Sequence, residues 1–336
     1  MTANEQESYI EFTTIIGDGN GGPCILDCVP YCPQELIVKQ YVGEKILSLD
    51  NLKKFMRTVP AGIPDSTIKS GLPVFISGRS EPFQNQTTVD MIEWLYERGH
   101  PVTIFSSGVG LKPKDAERLV TIPIEKFVLH LPDPYHKCEN LIKLNDKFHC
   151  GAGKCKLCPK ETGQIKYHGD DGCLKIRHAK IPYTQEYMET RRIIELNIEH
   201  LETMSMGWNF ESNQCEGMAR GNTPVRKTGR RACFFLEKPG YQVQPNGEVS
   251  FCCMVRGLTE IVGNLNENTY PELAAKHSKI SHRLANDPNS ICHRCLIGQK
   301  DYIYKFMKFK NRFLNGRSIM QVMAGGLLED KNVSDV

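Results

Sequence analysis

The sequence predicts an α/β fold built on a parallel sheet, and two observations carry this. Over roughly the first 210 residues, short runs rich in apolar and β-branched residues alternate with helical segments. Such alternation builds parallel sheets, open or partly closed as a barrel. The chain has 336 residues, 40% of them hydrophobic and 24% charged. That is the balance of a soluble globular protein, long enough for one large α/β domain and an appendage.

The elements follow in order. YIEFTTII, from Tyr9, predicts a strand that leads into a cysteine-bearing loop. SLDNLKKFMRTV has helical spacing and a Ser or Asp start signal. GLPVFISG is a buried strand, with small and β-branched residues between turn signals. TTVDMIEWLYERGH opens on a capping threonine and carries a glycine near its end, so it predicts a helix. PVTIFSSG is a strand, KPKDAERLV a helix and EKFVLHLP a strand. QEYMETRRIIELNIEHLE is a long helix, and TMSMGW a last short strand. Sites in such sheets lie at the carboxyl ends of the strands.

Between about 133 and 182 the pattern breaks. This stretch is rich in Lys, Gly, His and Cys and too long for an ordinary connection, so it reads as an insertion. From about Thr223 the character changes again. ACFFLEKPGYQVQPNGEVSFCCM predicts short strands around the turn PNGE. The tail after Lys300 is basic and helical in pattern. The divisions are then 1–20 (N-terminal strand and tail), 21–222 (core with insertion), 223–300 (a smaller domain) and 301–336 (helical tail).

Net charge is +3, with the signs mixed along the chain, which gives no electrostatic case for nucleic acid or a membrane surface as partner. The N-terminal MTANEQESYI lacks the basic and apolar regions of a secretory signal, and no apolar run reaches the length of a membrane span. A cytoplasmic location is expected. Fourteen cysteines in a reducing compartment then point to metal ligands or catalytic groups. Buried structural thiols account for a few of them but not for their clustering.

The first cluster is GGPCILDCVPYCPQ, with Cys24, Cys28 and Cys32. Three thiolates in one loop can hold three irons of a cubane [4Fe–4S] cluster and leave the fourth open to a ligand. The alternative, a structural zinc, wants four ligands and usually a CxxC pair. The loop resembles the signature of the radical S-adenosylmethionine (SAM) superfamily, CxxxCxxC with an aromatic before the last Cys. Here the spacing is CxxxCxxxC, one residue longer, with Tyr31 in the aromatic place. FISGRSEPF resembles the family's GGEP strip, whose backbone holds the amino group of SAM. Its residues are Gly78, Arg79, Ser80, Glu81 and Pro82, with Arg79 and Ser80 where glycines are common. In TIFSSG, Ser106 and Ser107 stand where the family has polar residues near the ribose. Tyr31 is implied to lie beside the adenine. The resemblance implies a partial (β/α)6 TIM-like barrel. It also implies reductive cleavage of SAM to a 5′-deoxyadenosyl radical that abstracts hydrogen from substrate, with the cofactor carrying the chemistry.

A second set of cysteines follows: Cys233, Cys252 and the CxxC of Cys292 and Cys295. A CxxC with two further cysteines is a four-ligand metal site, and spacing alone leaves zinc and Fe–S both open. The set resembles the SPASM/twitch extension of radical SAM enzymes: an upstream Cys, then GxxxxC (Gly247 to Cys252), then CxxC. No further cysteines follow Cys295, which matches the shorter twitch form. The resemblance implies a small C-terminal α+β iron–sulfur domain with one auxiliary [4Fe–4S] cluster on these four.

The insertion holds Cys150, Cys155, Cys158 and Cys173, a set that suits a zinc knuckle, a third cluster or no metal. Cys138 is near this set in sequence, and Cys215 and Cys253 remain unassigned. Either could donate a hydrogen atom to a substrate radical, and the plain alternative is a buried thiol. His130, at a strand end, reads as a satisfied structural group or a substrate contact. Arg220 reads as a carboxylate contact or a surface residue.

The expectation is a radical SAM enzyme with two [4Fe–4S] clusters, acting on a small-molecule or peptide substrate. A flavodoxin- or ferredoxin-type electron donor is implied. Two rivals stand beside it: a redox-neutral epimerase or isomerase, and a non-catalytic zinc-binding interaction protein.

Overall fold

The computed structural model describes residues 8–22, 24, 34–63, 70–78, 80–131, 167–169, 172–174, 184–205, 229–252, 260–293, 295 and 299–300. The N-terminal half follows the predicted alternation. Its strands are β1 (Tyr9–Thr13), β2 (Val74–Ser77), β3 (Val102–Ser106) and β4 (Lys126–Leu131). Helices α1 (Gln34–Gln40), α2 (Leu49–Phe55), α3 (Thr88–Glu97) and α4 (Pro113–Leu119) lie between them. In the insertion, the short strands β5 (Tyr167–Gly169) and β6 (Gly172–Leu174) pair antiparallel, placing Cys173 opposite His168. Helix α5 (Gln185–Asn197) and strand β7 (Leu201–Ser205) complete the core.

The C-terminal part contributes β8 (Arg231–Ala232), α6 (Phe234–Glu237), β9 (Gly240–Val243) and β10 (Glu248–Ser250). After these come β11 (Ile261–Asn264), α7 (Tyr270–Asn286) and β12 (Gln299–Lys300). The main sheet has eight strands in the order β11-β10-β9-β1-β2-β3-β4-β7. β1 through β4, β7 and β9 run parallel. β10 turns back along β9, and β11 along β10. Most of the small C-terminal unit thus joins the main sheet, and only β8 and β12 pair apart as a two-stranded sheet. Its first long strand zips onto β1, with Tyr9 level with Gly240 and Phe12 with Val243.

Alternation along the strands sets two faces. Ile10, Phe12, Val74, Ile76, Val102, Ile104, Phe127 and Leu129 belong to one apolar core. Leu52 and Phe55 of α2, Met91, Ile92 and Leu95 of α3, Leu119 of α4 and Ile194 of α5 join them. Tyr241, Val243, Val249 and Phe251 continue this face beneath Leu273 and Leu284 of α7. The other face carries Glu11, Thr13, Phe75, Phe105, His130, Gln242 and Ser250, read from the same registers.

Four local expectations change. The first strand ends at Thr13, and beyond it only Ile15 bridges, to Ile46. The long helix stops at Asn197, not at residue 202, because Leu201 is drawn into register with Phe127. The stretch after Cys233, read as strand, turns into α6: the Cys233 carbonyl accepts from Leu236 and Glu237 N–H. Helix α7, absent from the sequence reading, starts on a capping box of Thr269 and Glu272 with Pro271 in its first turn.

Candidate functional site

At the carboxyl end of β1 the chain makes a tight loop before Cys24. The Asp18 carboxylate accepts the backbone N–H groups of Asn20 (2.8 Å), Gly21 (3.0 Å) and Gly22 (2.9 Å). Those hydrogen bonds, Asn20 first, hold its pKa below the ordinary carboxylate value. Gly17 has φ +61°, and a Cβ there would lie 2.0 Å from the Gly22 carbonyl, so the loop requires glycine. Cys24 emerges from this loop buried. Cys28, Cys32 and Tyr31 lie outside the described residues.

The strip after β2 packs directly against this loop. The Gly17 N–H donates to Ser80 Oγ at 3.0 Å. The Gly78 N–H donates to the Glu11 carboxylate at 2.9 Å. Gly78 has φ +91°, and a Cβ on it would meet Thr13 Oγ1 at 2.3 Å. The Pro82 carbonyl accepts from Thr14 Oγ1 (2.9 Å) and Thr88 Oγ1 (2.7 Å). The strip is therefore clamped from both sides. Arg79 is outside the described residues.

Glu81 is 2% exposed and gathers the next strand end. Ser106 Oγ donates to one carboxylate oxygen. The Ser107 N–H (2.9 Å) and Oγ (2.7 Å) donate to the other. Burial raises the Glu81 pKa, against these hydrogen bonds and one from the Phe83 backbone. The two hydroxyls also accept from Gly108 N–H (2.8 Å) and Val109 N–H (3.4 Å). Ser106 and Ser107 thus spend their donor protons on Glu81, so the sequence pair expected near a ribose is tied to the glutamate of the neighbouring strip. Tyr187 OH, on α5, donates to the Ser107 carbonyl (3.0 Å), and the buried Arg191 donates to Tyr187 OH (3.1 Å).

The open face of the sheet carries polar atoms whose hydrogen-bonding capacity is unmet. Both carboxamide atoms of Gln244, Thr13 Oγ1, Ser250 Oγ and His130 Nε2 are buried without a hydrogen-bond partner. One more step of the β1–β9 register sets Thr13 level with Gln244. Burial alone pulls the His130 pKa down to about 4. A run of rings crosses the same face. Phe235, Tyr9, Phe75, Phe105 and His130 follow one another at centroid spacings of 6.3, 4.4, 5.7 and 6.1 Å. The sequence reading missed Glu11, Thr13, Gln242, Gln244 and Ser250. Only their place on one strand face marks them, and a strand pattern does not say which face stays open.

The second cysteine set lies at the far end of this face. Cys252 follows β10, which runs antiparallel to β9, so it sits toward the amino end of β1. Cys233 ends β8, and Cys292 lies in a short 3₁₀ helix whose first residue, Ile291, accepts the Cys295 N–H at 2.8 Å. Cys233, Cys252 and Cys292 are buried, Cys295 is half-buried, and none is in a disulfide. Burial, with the charge of Cys295 adding to it, pushes the Cys233 thiol up to about 12. Cys292 shifts the same way, by burial and then by Cys233 and Cys295. The three thiols are thus electrostatic neighbours. Among the described residues no three Cys, His, Asp or Glu side chains are drawn together as a ready-made single-ion site. Cys150, Cys155, Cys158, Cys215, Arg220 and Cys253 lie outside the described residues, and of Cys173 only the backbone register is described. No helix among the described residues is long and apolar enough to cross a membrane.

A search of curated proteins gave no match. Two solved structures are similar at low identity. BtrN in complex with AdoMet and 2-DOIA has a TM-score of 0.47 and 13% identity, covering 90% of this chain and 96% of that one. Native anSMEcpe with bound AdoMet has a TM-score of 0.45 and 10% identity, covering 85% and 86%. Residues 233–296 match the SPASM model, an iron–sulfur cluster-binding domain. All four cysteines of the second set fall inside that span, so this part of the chain is similar to SPASM iron–sulfur cluster-binding domains.

Proposed function

We propose that the chain is a radical SAM enzyme that oxidises a polar substrate. The observation that supports this best is the layout of one continuous sheet. Cys24 follows the carboxyl end of β1, and the SPASM-matched Cys252 lies toward its amino end. β1 itself, five residues long, spans roughly 16 Å. Between them lies a face of unmet polar groups, which is what a bound polar substrate satisfies.

Two metal centres fit the donors. Cys24, Cys28 and Cys32 would hold the first and leave it able to bind SAM, with Tyr31 assigned to the adenine. Cys233, Cys252, Cys292 and Cys295 hold the auxiliary centre. Four buried or half-buried thiols, none in a disulfide and with burial raising the pKa of Cys233 and Cys292, suit a cationic cluster that binds them as thiolates. When bound, the first cluster supplies the electron that cleaves SAM, and the auxiliary cluster supplies an acceptor for an electron leaving the substrate.

The remaining work falls to the chain. The strip from Gly78 to Pro82 offers its backbone to the methionine end of SAM, held at the right height by Glu11, Thr14 and Thr88. Ser106 and Ser107 act through Glu81 as positioning residues of that strip. Thr13, Gln244, Ser250 and His130 meet uncharged polar groups of the substrate. The electron enters from a flavodoxin- or ferredoxin-type donor.

The test is anaerobic reconstitution followed by SAM and dithionite. About eight irons per chain with matching sulfide are expected, and 5′-deoxyadenosine should form. Cys24→Ala should abolish its formation and lower iron by about four. Zinc without iron, or no SAM cleavage by iron-loaded protein, would overturn the reading.

A further inference from the structure

The loop after β3 is held from two sides, by the strip and by helix α5. Ser107 gives its N–H and hydroxyl to Glu81. Its carbonyl accepts from Tyr187 OH, on α5, at 3.0 Å. At the far end of the loop the Leu111 carbonyl accepts from Thr190 Oγ1 of the same helix, also at 3.0 Å. Between these two bonds, a Cβ on Gly108 would lie 3.9 Å from the Tyr187 ring and 4.0 Å from Arg191 Cδ. Toward the strip, a Cβ on Gly110 would meet the Phe83 carbonyl at 2.7 Å. The loop is therefore packed between α5 and the turn that ends the strip. Arg191 gives this grip its direction. It is fully buried, paired with Glu195 one turn on, and donates to Tyr187 OH at 3.1 Å. A phenol that accepts from a guanidinium has one proton of its own left to donate, and here that proton goes to Ser107. A buried ion pair is a weak source of stability, because desolvation offsets the attraction. What this one fixes is the orientation of Tyr187.

We propose that Tyr187 and Arg191 are positioning residues for SAM. They fix Ser107 and, through Glu81, the strip from Gly78 to Pro82 at the height that receives the methionine end. This rests on the assignment of that strip to SAM above. Neither residue touches SAM in this role. Thr190 holds the same loop but lies off the line that runs from Tyr187 through Ser107 to Glu81, so it serves as the contrast.

The test measures SAM binding by calorimetry on the full chain, reconstituted without oxygen and left unreduced, beside iron content and the urea midpoint. Tyr187→Phe removes one oxygen and should weaken SAM binding about tenfold with iron unchanged. Thr190→Val breaks a bond of the same kind and should lower the urea midpoint while leaving SAM affinity at the parent's value. Joining Arg191→Leu to Tyr187→Phe removes the stranded guanidinium, so it should restore stability. It should not restore SAM affinity, because the Ser107 carbonyl still lacks its donor. Parent-like SAM affinity in Tyr187→Phe overturns the proposal, and so does an equal loss in Thr190→Val. Recovery of affinity together with stability in the double variant does the same and leaves these residues as packing. If Tyr187→Phe alone does not fold, the double variant carries the comparison with Thr190→Val. An iron-loaded parent that binds no SAM fails at a different point: it overturns the assignment of the strip itself, and this inference with it.

Discussion

Two buried polar centres hang on the same sheet, and they are built on opposite principles. Around Glu81 the chain supplies every donor the carboxylate accepts: Ser106, Ser107 and the Phe83 backbone. Around Cys233 and Cys292 it supplies thiols whose pKa values rise through burial first and then through neighbouring thiols. The first centre is complete as folded and acts as scaffold. The second lowers its free energy by taking up a ligand that makes thiolates stable. A buried polar group met by the chain marks architecture, and one the chain leaves unmet marks a binding site.

The sharpest way to break this comparison is to remove a thiol. Cys292→Ala should cost the auxiliary centre outright, about four irons per chain by colorimetric assay, with a loss of thermal stability that oxygen-free reconstitution does not restore. Full iron retention would show that the C-terminal centre does not depend on its four cysteines.

The scaffold centre should respond next, through stability and not through iron. Gly78→Ala forces a side chain onto a φ of +91° and against Thr13. A loss of roughly 2–3 kcal/mol by urea denaturation is expected. Glu81→Ala, which strands buried hydroxyls and N–H groups, should cost about 3 kcal/mol. Iron at the auxiliary site should be unchanged in both. If either drains it, the centres are coupled and the contrast fails.

Acid titration separates the two kinds of buried group by sign. Glu81 has its folded pKa raised, so its contribution favours the fold at low pH and is lost as pH rises above the ordinary carboxylate value. Glu81→Gln should flatten that fall. His130 has its folded pKa depressed to about 4, so its cost appears as pH drops from about 6.5 toward 4. It amounts to roughly 3 kcal/mol when complete. His130→Phe should remove part of the acid lability. His277, also shifted to about 4 by burial, keeps the rest. Stability of the two variants against pH, measured side by side, should show slopes changing in opposite pH ranges.

The smallest effect belongs to the surface. Arg118 bridges Asp90 (2.8 Å) and Glu93 (2.6 Å) across α4 and α3, with all three side chains more than two-fifths exposed. Arg118→Ala should cost under ~1 kcal/mol and fade in salt. A larger loss would mean that helix docking, and not the buried centres, governs this side of the fold.

Much of this was legible in the sequence because it is local. The strand–helix alternation and the serine start signal of α2, where Ser48 accepts the Asn51 N–H, involve residues within a few positions of one another. Cysteine spacing is local in the same sense: Gly247 to Cys252 and the CxxC of Cys292 and Cys295 mark ligands without a fold. The capping box at Thr269 is equally local, yet the sequence reading assigned no element to that stretch. The partner of Glu81 was not legible. It lies 25 residues away, on the next strand end, and nothing in TIFSSG distinguishes a serine facing a ligand from one facing a buried carboxylate.

By itself the sequence determined the class of fold, the ligand types and the two groups of thiols, since periodicity and spacing are properties of neighbouring residues. The tertiary structure decided that β9 joins β1, that Cys24 follows one end of β1 while Cys252 lies toward the other, and that Gln244, Thr13, Ser250 and His130 share one face of the sheet. Strand pairing sets those distances, and pairing joins residues up to 231 positions apart, as with Glu11 and Gln242. Burial sorted the polar groups in the same way: Glu81 matters because folding removes water from it and the chain answers it with hydrogen bonds from Ser106 and Ser107.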